Sequence, residues 1–271
     1  MIKKYRKPYR IKKKKSIFRN RFFWLGILIL IVFIGLFYFL VFSSFFQIKE
    51  IKISGNQKVL TEDLENTIQN QIVRNLFFFP TKSIFLVNLN KTKEAILGKF
   101  PQIIQISFKR KFPYTLEAKI EERKPVAVFD QGGKNFLLDK EGIIFEEVAE
   151  VGDYLKIKSS NQNQPLNLGD KVVEKELLLS ILETGSKLRN DFKIPLEEFL
   201  VVSDERFNTK TLEGWEIYFN PKGDLSWQLT KLKADLEEEI PPERRKDLEY
   251  IELRFGNFAP YKYRESPTQS M

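Results

Sequence analysis

From Phe22 to Phe46 the chain carries no charged side chain, and Ser43 and Ser44 near the far end are its only clearly polar residues. As a helix rising 1.5 Å per residue, such a run is roughly 37 Å long, enough to cross a hydrocarbon core of about 30 Å with some tilt. A buried core helix of a soluble domain rarely runs apolar on every face for about seven turns, as this run does. A cleaved signal peptide has an apolar stretch of about 7–15 residues ending in small side chains. Here the stretch is longer, and the two serines are followed by two more phenylalanines. The chain therefore reads as crossing a membrane once, through an uncleaved anchor over residues 22–46.

Charge supplies the orientation. The net charge of +9 suggests a nucleic-acid binder until the charges are located, because the first 21 residues hold 11 Lys/Arg and no Asp/Glu. The remainder, with 34 basic against 36 acidic residues, is close to neutral. Basic residues flanking a membrane helix stay in the cytoplasm. The expected topology is a single-pass protein of the cytoplasmic (inner) membrane, N-terminus in the cytoplasm and C-terminus outside. The basic tail is read as a topology signal with incidental attraction to lipid, and no nucleic-acid partner is expected.

The chain has no cysteine and no histidine. That removes disulfides, thiolate nucleophiles, Cys/His metal sites and the usual general base near neutral pH. The carboxylate pairs Asp139 with Glu141 and Glu121 with Glu122 have the spacing of a charged turn and a solvated strand end, not of a glycosidase. Gly132-Gly133 lacks the lysine and flanking pattern of a phosphate loop and reads as a hairpin turn. The expectation is a protein that is not an enzyme, with no catalytic or metal residues, no cofactor and no small-molecule substrate.

Beyond the anchor, Ile48, Ile51 and Ile53 with interleaved charges read as a strand closed by Ser54-Gly55-Asn56. Thr61 is placed to cap a helix carrying Leu64, Ile68 and Ile72, and Asn90 to cap a second over Lys91–Lys99. Ile104, Ile106 and Phe108, then Tyr114, Leu116, Ala118 and Ile120, alternate as a hairpin with one buried face. The implied unit is a small α+β domain, two helices on a three-stranded sheet. After Glu122 the texture turns to short strands, at 126–129, 136–138, 143–145, 199–202 and 215–219. Two helices interrupt them, one over about 173–192 and one capped by Asp224, each with a leucine stripe read as core. A closing strand pair, Tyr250–Phe255 and Phe258–Tyr263, is broken at Gly256-Asn257.

These residues resemble the FtsQ/DivIB family of bacterial cell-division proteins. The run IFLVNLNKTKEAILGKFPQIIQISFKRKFPYTLEAKIEERKPVAVF looks like the end of that family's POTRA domain and its junction with a β-rich domain, with the Phe112-Pro113 pair and Glu122-Arg123-Lys124-Pro125. LLDKEGIIFEE is similar to the hairpin opening the β domain, and YIELRFGNFAPYKY to the last strands, with Glu252 where Asp is commoner. The resemblance implies an α+β architecture: basic tail 1–21, membrane helix 22–46, POTRA domain 47–122, mixed β domain with two helices 123–264, and a disordered tail 265–271.

It also implies a function, that of a non-enzymatic scaffold at the division septum. Such a scaffold holds small bitopic proteins of the FtsB/DivIC and FtsL kinds outside the membrane and links early to late septal assembly. Carried over position by position, the FtsB-pairing segment points to Arg254, Phe255 and Asn257, and more loosely to Phe258, Tyr261 and Tyr263. An edge strand accepts a partner peptide as one more strand, but the same aromatics would serve equally as ordinary strand core. The competing reading is a POTRA-bearing transport or chaperone component of the cell envelope, although such proteins usually repeat the unit and one copy is found here.

Overall fold

The computed structural model describes residues 20–76, 78–160 and 165–265. Most of the basic tail and of the polar C-terminal tail lies outside these residues. The described chain forms two compact units: one takes residues up to 54, 60–96 and 107–119, the other 55–59, 97–106 and 120 onward.

In the first unit the anchor is helix α1 (Arg21–Phe42), opened by Asn20, whose side chain accepts from the Phe22 N–H. Its 22 residues make about 33 Å, and only Val41 is buried. The helix ends at Ser43, whose backbone is extended and whose N–H donates to the Phe39 carbonyl. Strand β1 (Glu50–Ser54) and helix α2 (Thr61–Ile72) follow, then strands β2 (Arg74–Leu76) and β3 (Phe79–Thr81), helix α3 (Leu89–Lys99), and strands β4 (Ile103–Lys111) and β5 (Thr115–Glu122), of which residues 97–106 and 120–122 are counted with the second unit.

The sheet order is β1-β5-β4, with β1 parallel to β5. Two capping expectations are corrected. Thr61 is the first helical residue of α2, so it cannot be its cap. The cap of α3 is Asn88, whose Oδ1 accepts from Lys91 N at 3.1 Å, because the helix starts earlier than Asn90. The β2–β3 hairpin is an addition to the expected elements.

The second unit holds one nine-stranded sheet. Its strands are β6 (Pro125–Gln131), β7 (Lys134–Asp139), β8 (Ile144–Val148), β9 (Leu155–Ser159), β10 (Leu196–Ser203), β11 (Arg206–Thr211), β12 (Glu216–Phe219), β13 (Leu248–Glu252) and β14 (Tyr261–Tyr263). Their order is β14-β13-β12-β11-β10-β9-β6-β7-β8. Helix α4 (Lys175–Asn190) carries one leucine stripe and helix α5 (Leu225–Ala234) begins the other, which a π-helical turn (Asp235–Glu239) continues. Leu178, Ile181 and Leu188 of α4 and Leu229 and Leu232 of α5 share one buried cluster with Phe199, Phe207, Ile217 and Ile251 of the sheet. Both stripes are core, as their spacing predicts. The cap Asp224 is also where the sequence places it, its carboxylate accepting from Trp227 N.

Gly132 and Gly133 both have positive φ, the backbone a two-residue hairpin turn between twisted strands requires. Strands β9 and β11 are further additions to the expected elements. Lys156 and Lys158 make β9 look unsuitable for the middle of a sheet, until folding brings Asp130 to 2.7 Å from Lys156 and Glu198 to 2.9 Å from Lys158.

Two of the carboxylates weighed as catalytic, Asp139 and Glu122, hold structural contacts. Asp139 is buried, pairs with Arg123, and accepts from the Glu141 and Ile143 amides. One Oε of Glu122 accepts from Gln57 N, and both receive Lys58 N.

Candidate functional site

The chain's last strands close one end of the nine-stranded sheet. β12 and β13 are parallel, with Ile217 opposite Ile251, and the connection between them runs through α5, the π-helical turn and a 3-10 helix (Pro242–Asp247). β13 then pairs antiparallel with β14, Ile251 opposite Tyr261 and Leu248 opposite Tyr263. The Glu252 amide donates to the Pro260 carbonyl, and the Arg264 amide to the Asp247 carbonyl. Main-chain groups of successive strand residues point to opposite sides, so the N–H and C=O of Tyr261 and Tyr263 face away from β13. Among the described residues β14 is the last strand of the sheet, and these groups form its open edge.

The closing strands are shorter than expected. β13 ends at Glu252 and β14 starts at Tyr261, so Arg254, Phe255, Asn257 and Phe258 stand on the connecting loop and not in the ladder. Lys231 of α5 shapes that loop. Its buried ammonium donates to the carbonyls of Leu253 (2.8 Å), Phe255 (3.1 Å), Gly256 (3.2 Å) and Phe258 (3.2 Å). Four carbonyls converging on one cation turn the backbone inward and the side chains outward. Phe255 is 65% and Phe258 82% exposed, which rules out the core role for both. Tyr261 and Tyr263 are half-buried against the core cluster.

Arg254 folds back on its own strand. Its Nε lies 2.9 Å from Glu252 Oε1 and its Nη2 2.6 Å from Oε2, while the guanidinium covers the Phe255 ring at 4.7 Å. Next to it Tyr218 and Tyr250 stack at 5.0 Å, with Arg206 over Tyr218 at 4.4 Å.

Beside the loop lies a groove of about 480 Å³, lined by Trp227, Lys231, Asp235, Asn257, Phe258 and Tyr261 among others. Glu238 and Glu239 add to its acidic side. Burial raises the Asp235 pKa and Glu239 raises it further, against the pull of Lys231. Asp235 Oδ2 is buried without a hydrogen-bond partner. This helical wall is absent from the residues that the sequence singles out. Trp227, Lys231 and Asp235 recur every four residues and so mark one face of a helix, but nothing local says what that face meets.

Among the described residues no group of three or more Asp or Glu side chains is placed to hold a metal ion. The site has the features of a peptide-docking edge: an unpaired strand side, exposed aromatic rings and a groove alongside.

A family model described as "POTRA domain, FtsQ-type" matches residues 46–123. The cell division protein DivIB of Clostridium acetobutylicum is 33% identical over 102 residues, 38% of this chain and 37% of that protein. The cell division protein FtsQ of Geobacter sp. strain M21 is 27% identical over 199 residues, 72% of this chain and 70% of the relative. The chain is thus similar to FtsQ/DivIB cell-division proteins, over its POTRA segment and, in the Geobacter match, over most of its length. Another relative, FtsQ of Neisseria meningitidis serogroup B, is 27% identical over 104 residues, 38% of this chain and 40% of that protein. The chain thus spans little over a third of the Clostridium DivIB that it matches and more than two thirds of the Geobacter FtsQ. The FtsQ-type POTRA match covers β1 to β5, and the helix α1 that precedes it is apolar and long enough to cross a membrane.

Proposed function

We propose that this FtsQ/DivIB homologue is a non-enzymatic scaffold of the bacterial division machinery. It is anchored in the cytoplasmic membrane by α1, with the basic tail in the cytoplasm and the residues that follow α1 outside, at the septum. Its partners are small bitopic division proteins of the FtsB/DivIC and FtsL kinds, and an extended partner segment adds to β14 as a tenth strand.

The observation that carries this reading is the open edge of β14, with Phe255 and Phe258 exposed on the adjoining loop. Main-chain pairing supplies affinity in such an addition, and pockets for alternate side chains supply specificity. Asp235, Glu238 and Glu239 line the groove, which favours a partner strand with Lys or Arg at the matching position and makes association weaken as salt rises.

The test is capture of division partners by the full chain and by a Phe255→Ala/Phe258→Ala double variant. Truncating aromatic anchors at a hot spot costs about 2 kcal/mol or more of binding, while their exposure predicts an unchanged fold by circular dichroism. A folded variant that still captures the FtsB-like partner at wild-type strength places the interface elsewhere. The control is Glu62→Ala on α2, exposed and in the other unit, which is expected to capture partners at wild-type strength.

A further inference from the structure

The end of α1 is built into the fold of the first unit. The carbonyl groups of a helix's last turn have no partner within the helix. Here Val41 O accepts from Thr81 Oγ1 at 2.7 Å and from Gln47 Nε2 at 2.8 Å, and Leu40 O accepts from Ser83 Oγ at 2.9 Å. The segment just after the β2–β3 turn is therefore fastened to the helix at the level of its last turn.

Around this junction the rings form a continuous collar. Phe39 meets Phe46 edge-on at 5.6 Å, Phe46 meets Phe85 at 5.2 Å, and Phe85 stacks on Phe112 at 5.2 Å. Elsewhere on the same turn, Phe42 meets Phe79 edge-on at 6.2 Å. The outer rings are not covered by protein: Phe79 is 64% and Phe112 57% exposed, and Phe78, at the β2–β3 turn, is fully exposed.

Phe78 also has φ +73°, a left-handed conformation that bulky side chains seldom adopt and that hairpin turns usually give to Gly or Asn. A phenylalanine held there with no protein around it stabilises nothing in water. Exposed apolar patches of this kind mark a binding surface. What covers this one follows from its position. Phe79 meets Phe42, and Phe112 leads through Phe85 and Phe46 to Phe39, on a helix that is apolar from Phe22 onward. Hydrogen bonds to that helix's last turn fix where the patch sits along it. Lys82, exposed and next to Thr81, adds a cation beside this patch.

We propose that the β2–β3 turn and the surrounding aromatic collar are immersed in the bilayer leaflet from which α1 emerges, so that the unit holds the membrane through a second, monotopic contact beside the helix. The occupant of the patch is lipid, acyl chain against Phe78, Phe79 and Phe112 and headgroup against Lys82. An apolar surface inserted only to the headgroup–acyl boundary is the usual mode of such contacts.

The absence of cysteine makes the test direct, since any introduced cysteine is a unique labelling position. The full chain is reconstituted in nanodiscs of phosphatidylcholine and phosphatidylglycerol with a nitroxide at Phe78→Cys, at Phe79→Cys or at Leu212→Cys, the last an exposed apolar position in the other unit. Accessibility to oxygen, which concentrates in lipid, is compared with accessibility to a water-soluble nickel chelate. The expected result is a logarithmic ratio that is positive at 78 and 79 and negative at 212. A ratio at 78 and 79 as negative as at 212 overturns the proposal. It is equally overturned if both labels are water-exposed in the protein alone and shielded only when a division partner is co-reconstituted, which assigns the patch to protein.

Discussion

The buried ammonium of Lys231 donates a 2.8 Å hydrogen bond to the carbonyl of Leu253, 22 residues along the chain, and so ties helix α5 to the end of β13. With three more carbonyls on the same cation, one side chain sets the path of the loop that presents Phe255 and Phe258. Lys231→Met keeps the stem and removes the donors. It relieves the cost of a buried charge but leaves a buried carbonyl unpaired, which costs about 1–3 kcal/mol. The expected outcome is a modest loss in denaturant unfolding, faster hydrogen exchange over 253–258, and a loss of partner capture larger than the loss of stability.

Lys231 also carries a pH signature. Burial lowers its pKa below the ordinary 10.5, with Glu252 and Asp235 pulling the other way. The unfolded chain then binds more protons between the folded and unfolded values, so stability rises with pH across that window. The advantage of the wild type over Lys231→Met is expected to be flat below the folded-state pKa and to grow as pH approaches 10.5. Paired unfolding curves across alkaline pH check this; a declining difference would contradict it.

For the β14 edge, Tyr263→Pro and Tyr263→Ala both remove the ring, which lies under the Arg244 guanidinium at 3.9 Å. Only proline also removes the outward N–H. Each net main-chain hydrogen bond contributes about 0.5–1.5 kcal/mol, roughly two- to tenfold in affinity. Partner affinity is expected to be lower for the proline variant than for the alanine variant by that factor, with similar melting temperatures. Equal affinities would show that no strand pairs there.

Asp139 and Arg123 form a largely buried ion pair, and Arg123 also donates to the Pro101 carbonyl at 2.9 Å. Removing one partner of such a pair leaves a buried charge uncompensated, a loss of about 3–5 kcal/mol. Asp139→Ala is expected to destabilise by that order. The Arg123→Ala/Asp139→Ala double variant should lose less than the sum of its singles, as a double-mutant cycle measures.

Glu122 supplies the acid-side prediction. Burial opposes its charge, but the Val59, Lys58 and Gln57 amides outweigh burial and hold its pKa below the ordinary 4.5. A depressed carboxylate contributes stability that is present above the unfolded-state pKa and lost as pH falls through the folded one. The wild type should therefore exceed Glu122→Gln by a constant margin above about pH 4.5, shrinking at lower pH, in thermal melts across acid pH.

What the sequence determined by itself was whatever a local period or an unbroken run can encode. Helix α1 was legible because an apolar run of that length, uniform on every face, has the pattern of a membrane-spanning helix. Helices α4 and α5 were legible from leucines three and four apart, the β4–β5 hairpin from strict alternation, and the β6–β7 turn from paired glycines. The POTRA phrase, as far as Arg123, lies in the segment that the FtsQ-type POTRA model matches.

Tertiary structure decided the rest. β9 became a central strand only when Asp130 and Glu198 arrived from other strands to pair its lysines. The loop carrying Phe255 and Phe258 was turned outward by a lysine on a helix some twenty residues earlier. Whether β14 is an edge, and whether the rings at the end of α1 stand exposed, depends on which distant segments come to lie beside them. Periodicity reports which face of a segment is apolar; what that face meets is set by long-range pairing, which no single stretch of sequence contains.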